Sequence, residues 1–120
     1  MKNQLSGAIR NLGAGLCLDT LGSTPLYGEI GLYWCHHDGG NQLFRLNGDG
    51  ELSNRELCVD RQGYIIKLAT CNDNRKGPWL YSKEIQLLKH RFLGLCMEAS
   101  GSKLVLADCT GSNWQKFMFN

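Results

Sequence analysis

The chain has 120 residues, 42% of them hydrophobic and 20% charged, with a formal net charge of +2. That length sets one domain around one core. Lys and Arg are scattered and form no basic stripe, which speaks against nucleic acid. No run approaches the roughly 18 apolar residues of a membrane span, so no direct membrane contact is expected.

The first ten residues, "MKNQLSGAIR", lack the apolar stretch of a secretory leader. Either the chain is cytosolic or a targeting signal lies upstream of it, and the six cysteines favour the second reading.

The first strand-like run, "GAIRNL", leads through the turn "NLGAG" to Leu16-Cys17-Leu18-Asp19. A loop, "LGSTPLYGEIG", precedes an apolar run at Gly31–Trp34, and Cys35 follows. Then come His36-His37-Asp38, Gly39-Gly40, Asn41-Gln42 and Leu43-Phe44. Past the turn "NGDG", the run "GELSN" leads to Leu57-Cys58-Val59-Asp60, the turn "DRQG", an apolar run at Tyr64–Leu68, Cys71 and "GPWLY". "IQLLKH", with its apolar Ile85–Leu88, opens the last third. Leu95-Cys96-Met97-Glu98, the apolar run Leu104–Ala107, Cys109, "CTGSN" and Gln115-Lys116-Phe117 complete it.

The chain therefore repeats three times. First cysteines recur at offsets of 41 and 38 residues, and second cysteines at 36 and 38. The repeats run over about 5–46, 47–84 and 85–120. Six cysteines allow fifteen pairings, and composition chooses none of them. The spacings of 18, 13 and 13 residues point to three local disulfides, Cys17–Cys35, Cys58–Cys71 and Cys96–Cys109. Six buried free thiols are the alternative. No cysteine lies within four residues of another, which rules out zinc knuckles of the C-x-x-C type.

Short apolar runs, fifteen glycines and no long 3.6-residue period predict an all-β chain. Three units are too few for a propeller of four to eight blades. Three copies closed around a threefold axis predict a β-trefoil, which removes most exposed sheet edges.

Three copies of a Cys-Leu-Asp-like motif, each followed by a Gln-x-aromatic motif or its remnant, resemble the ricin-type lectin trefoil over the whole chain. "CLDTLG" with "YWCHHDGGNQLF" resembles the C-terminal lectin domain of polypeptide N-acetylgalactosaminyltransferases more closely. Phe44 and Phe117 stand where that family usually has tryptophan, and an aromatic remains for the core. The resemblance implies a binding module without catalytic residues or cofactor, recognising GalNAc- or galactose-type sugars. It further implies a parent glycosyltransferase, with its catalytic domain as partner and glycopeptides of mucin-type O-glycosylation as ligands. The implied location is the Golgi lumen, within a membrane-anchored parent, or outside the cell. The alternatives are a structural or protein-interaction trefoil and the carbohydrate-binding module of a secreted glycosidase or toxin.

Holding a galactose-type ring in water needs an aromatic on its apolar face, a carboxylate for adjacent hydroxyls, and an amide donor. The first copy has Tyr33, Asp19 and Asn41 for these tasks, with His36 as an added contact. Tyr27 is an alternative aromatic. The other copies act as controls. Ala69 and Ala107 stand at the Tyr33 position, Asp60 has no such company, and Glu98 is one methylene longer than Asp19. A plain turn-capping role for Asp19 is the competing reading. Strand alternation assigns Trp34 to the core. Gln42 and Gln115 are expected to satisfy internal groups, and Trp79 to be core. His36-His37-Asp38 suggests a metal cluster, but adjacent ligands seldom converge on one ion and no metal is expected.

Overall fold

The computed structural model describes residues 4–22, 28–71 and 76–120. Thirteen short strands carry the fold among them. The first third holds β1 (Leu5–Gly7), β2 (Ile9–Asn11), β3 (Leu16–Asp19), β4 (Gly31–Tyr33) and β5 (Phe44–Leu46), with a 3-10 turn at Gly40–Gln42 before the last. The middle third holds β6 (Leu52–Asn54), β7 (Leu57–Gln62), β8 (Ile65–Thr70) and β9 (Trp79–Tyr81). The last third holds β10 (Leu88–His90), β11 (Cys96–Ser100), β12 (Lys103–Ala107) and β13 (Phe117–Phe119), with a second 3-10 turn at Asn113–Gln115.

Every pairing between these strands is antiparallel. The C-terminal β13 pairs with β2, which joins the last third to the first. Gly7 lies against the end of the chain, where a Cβ would run into the Asn120 carbonyl.

The threefold relation is visible in three backbone hydrogen bonds. Leu32 donates to Ser102 (2.9 Å), Leu68 to Gly28 (3.0 Å) and Leu106 to Tyr64 (2.8 Å), so each third donates to another in a closed cycle. Each donor stands three residues before the second cysteine of its own copy.

Core residues follow the same triplets. Ile9, Leu52 and Leu88 are buried, as are Leu18, Val59 and Met97, and Ile30, Ile66 and Leu104. Phe44, Trp79 and Phe117 form a buried aromatic triplet, and the Trp79 indole N–H donates to the Val59 carbonyl at 2.8 Å. Each triplet draws one side chain from each copy, because a single copy has no second sheet to cover its apolar face.

All three expected disulfides are present, with Cα–Cα separations of 5.1, 5.0 and 5.1 Å. These lie within the range that a disulfide spans.

Candidate functional site

In the first third, Cys17 pairs with Tyr33 and Asp19 with Gly31 across β3 and β4. Side chains two apart share a sheet face, so Asp19 and Tyr33 lie on one face as diagonal neighbours. Gly31 presents no side chain opposite Asp19, whereas Lys67 and Val105 stand opposite Asp60 and Glu98. A Cβ on Gly31 would sit 2.5 Å from the Ser102 carbonyl oxygen. Gly31 is a site-shaping residue that the motif comparison passed over. Its signal was a glycine four residues before the second cysteine in this copy alone.

Tyr33 is 55% exposed, as a stacking surface must be. Asp19 is 4% exposed, and both of its oxygens have internal partners. The Leu21 N–H donates to Oδ1 at 2.7 Å, a local turn of the Asx kind. The Gln42 amide donates to Oδ2 at 2.9 Å. An ionised carboxylate offers about four acceptor positions, so two remain.

Gln42 is the hub of this region. Its amide nitrogen also donates to the Trp34 carbonyl (2.7 Å), and its Oε1 accepts the His36 N–H (3.1 Å). One buried side chain thus ties Asp19 to both residues flanking Cys35. The His36 Nδ1 accepts the Asp38 N–H at 3.1 Å. An accepting Nδ1 in a neutral ring places the proton on Nε2, which makes Nε2 a donor.

Asn41 sits in the 3-10 turn, where its carbonyl accepts the Thr20 N–H at 3.1 Å. That bond sets it beside the end of β3. Its side-chain amide has no hydrogen-bond partner among the described residues, and the half-buried residue lines a cavity together with Thr20. Tyr27 lies outside the described residues.

The other thirds show which of these features belong to the scaffold. Gln115 repeats the hub, donating to Glu98 Oε1 (2.9 Å) and the Asp108 carbonyl (2.7 Å) and accepting from Thr110 and Gly111. Gln42 and Gln115 thus satisfy internal groups, as expected, and each also holds a carboxylate. Gly77 stands at the hub position of the middle third, where a Cβ would run into the Gly50 carbonyl. Asp60 instead faces the imidazole of His90, with Nε2 3.5 Å from Oδ1. His90 takes the place held by Asn11 and Asn54 in the other thirds and is 3% exposed, with no hydrogen-bond partner for Nδ1 among the described residues. Burial holds its pKa below the ordinary value, and the Asp60 carboxylate partly opposes that.

One expectation is corrected. Trp34 is not in the core; it is 72% exposed. Alternation does not extend to it because β4 ends at Tyr33. The residue before the second cysteine also faces water in the other copies, as Thr70 and Asp108. Trp114 is half-exposed, with its ring against Gly13, where a Cβ would lie 2.7 Å away. Glu51, Cys58 and Cys71 bring three ligand-type atoms together, but both sulfurs are in a disulfide and offer no thiolate.

Comparison with known proteins agrees with this architecture. The family model of the ricin-type beta-trefoil lectin domain matches residues 5–120. The chain belongs to that family. It is a lectin-type binding module. The Drosophila melanogaster N-acetylgalactosaminyltransferase 7 is 39% identical over 119 residues, covering 94% of this chain and 20% of that protein. The human N-acetylgalactosaminyltransferase 7 is 32% identical over 124 residues, covering 99% of this chain and 19% of that protein. The chain thus spans about a fifth of the curated relatives it matches. A crystal structure of GalNAc-T7 with UDP, GalNAc and Mn2+ superposes with a TM-score of 0.89 at 30% identity, covering 96% of this chain and 22% of that one. The earthworm R-type lectin C-half in complex with GalNAc has a TM-score of 0.79 at 16% identity, covering 95% of this chain and 96% of that one, a likeness of fold. Such relatives and three disulfides are consistent with an oxidising, secretory-pathway location.

Proposed function

We propose that the domain binds a GalNAc- or galactose-type sugar at one site in its first third. The observation that carries this is the exposed ring of Tyr33 on the same sheet face as Asp19, with alanine at that position in both other copies. The ring of Tyr33 covers the apolar face of the sugar. The two unused acceptor positions of Asp19 take adjacent hydroxyls, the free amide of Asn41 donates to a ring oxygen, and the His36 Nε2–H supplies a fourth contact. A monosaccharide has few heavy atoms, so its Kd is on the order of 0.1–10 mM.

The domain is further proposed to be the lectin part of a polypeptide GalNAc-transferase in the Golgi lumen, with that enzyme's catalytic domain as its covalent partner. Holding an already glycosylated peptide raises the local concentration of neighbouring acceptor sites. The similarity to N-acetylgalactosaminyltransferase 7 supports this.

One observation favours a second reading. Asp19 is buried and doubly bonded, as a structural pin in a trefoil without a sugar site would be. An NMR titration with GalNAc, galactose and glucose separates the two. The lectin reading expects saturable shifts around Asp19, Tyr33, His36 and Asn41 for the first two sugars, lost in Tyr33→Ala with the fold intact. Absence of saturable shifts with GalNAc and galactose supports the structural reading.

A further inference from the structure

The hairpins that open each third differ in length. Asn11 pairs with Leu16 and His90 with Leu95, leaving four residues in each turn, Leu12–Gly15 and Arg91–Gly94. Asn54 pairs with Leu57, which leaves only Arg55 and Glu56.

The longer turns lie over the preceding copy. Leu12 donates to the Lys116 carbonyl (2.9 Å) and Gly13 to that of Asn113 (2.9 Å), while Arg91 donates to the Pro78 carbonyl (2.6 Å). The shortened turn has no such backbone bond among the described residues. At the equivalent carbonyl, Leu43, the Asn54 side chain donates instead (2.9 Å), and its amide also reaches the Gly40 carbonyl (2.8 Å).

The missing two residues leave a cavity of about 440 Å³ on the seam between the first and middle thirds. Leu57 and Leu68 are among its apolar lining residues, and Arg55, Glu56 and Asn41 among its polar ones. The guanidinium of Arg55 lies 3.9 Å from where a Cβ on Gly40 would sit, which places it beside the turn that carries Asn41. Arg55 has φ of +55°, a left-handed conformation that is strained for a non-glycine residue.

We infer that this groove holds the polypeptide flanking a glycosylated residue, with Arg55 as its specificity-determining side chain. The inference rests on the sugar site proposed above, to which Asn41 makes the groove contiguous. An extended peptide presents carbonyls to a guanidinium, N–H groups to a carboxylate, and apolar side chains to a floor such as Leu57 and Leu68. Arg55 and Glu56 offer the donor and the acceptor side by side.

The test compares three ligands by calorimetry or NMR: methyl α-GalNAc, a short peptide with one α-GalNAc on threonine, and a GalNAc-containing disaccharide. Wild type is expected to bind the glycopeptide about tenfold more tightly than the methyl glycoside, a gain of ~1.4 kcal/mol. Arg55→Gly is expected to reduce that ratio to about two, with methyl glycoside affinity unchanged. Glycine adopts positive φ without steric cost, so the loss is not one of folding. Tyr33→Ala is expected to abolish binding of all three. A wild-type ratio near one, a ratio unchanged in Arg55→Gly, or an equal gain with the disaccharide overturns the groove assignment while leaving the sugar site standing. No saturable binding of methyl α-GalNAc to wild type overturns both.

Discussion

Replacing Gln42 with alanine tests how the first third is held together. The substitution removes three hydrogen bonds: to Asp19 Oδ2, to the Trp34 carbonyl and from the His36 N–H. A bond to a charged group contributes about 1.5–3 kcal/mol, and one between neutral groups about 0.5–1.5 kcal/mol. The sum is about 2.5–6 kcal/mol, and water cannot make it good because Gln42 is 1% exposed. Against a total stability of about 5–15 kcal/mol, this is a large fraction. With an m-value of about 2 kcal/mol/M, the urea midpoint of the disulfide-intact protein is expected to fall by about 2 M. Gln115→Ala removes an equivalent set around Glu98 and should cost a similar amount. The two variants should part in binding. Gln42→Ala frees Asp19 and the chain around Cys35 and is expected to weaken GalNAc affinity at least about tenfold, a loss of ~1.4 kcal/mol. Gln115→Ala should leave that affinity unchanged. A loss of stability below about 1 kcal/mol in Gln42→Ala would refute the hub, since not even the bond to Asp19 would be accounted for. Equal loss of GalNAc affinity in both variants would refute the link between the hub and a first-third site.

His90→Asn restores the residue found at the matching positions of the other thirds. Burial lowers the His90 pKa below its ordinary 6.5 in the folded state, so the unfolded chain binds the proton more readily. Its contribution to stability is therefore full above pH 6.5 and is lost as pH falls through the folded value. Asp60 and Arg61 are the charges that act on it. Urea midpoints from about pH 7.5 down to 5 should fall less in the variant than in wild type; parallel curves would show that His90 is not a titrating burden. Serine at both Cys17 and Cys35 opens an 18-residue loop and is expected to cost about 3 kcal/mol and to weaken sugar binding, because Cys35 anchors the strand end bearing Tyr33 and the turn bearing His36. The same change at Cys96 and Cys109 should lower stability comparably and leave sugar binding alone, which a thermal melt and a titration of each variant would check.

Much of the fold was legible because threefold repetition prints itself on the chain. Cys17, Cys58 and Cys96 recur with a leucine before them and an acid two residues after. Comparing copies then separated Tyr33, which is present once, from Phe44, Trp79 and Phe117, which recur as a buried triplet. The placement of Trp34 was not legible, because alternation holds only while a strand continues and β4 ends one residue earlier. The state of Asp19 was hidden for a related reason. Its neighbour Gln42 is 23 residues away, and only the closed loop behind Cys35 brings the two together.

The all-β class, the three disulfide pairs, the recurring late aromatic and the single copy that combines Asp19, Tyr33, His36 and Asn41 follow from the amino-acid sequence. Those properties are local to one repeat and can be read by laying the copies side by side. The tertiary structure alone decided what happens where one copy meets the next. Asn54 of the middle third clamps the turn of the first, His90 of the last third reaches Asp60 of the middle, and a two-residue hairpin leaves a groove beside Asn41. Such contacts join positions that fall at different points of the repeat, and their distances depend on how the three units close around their axis, which no alignment of one copy with another contains.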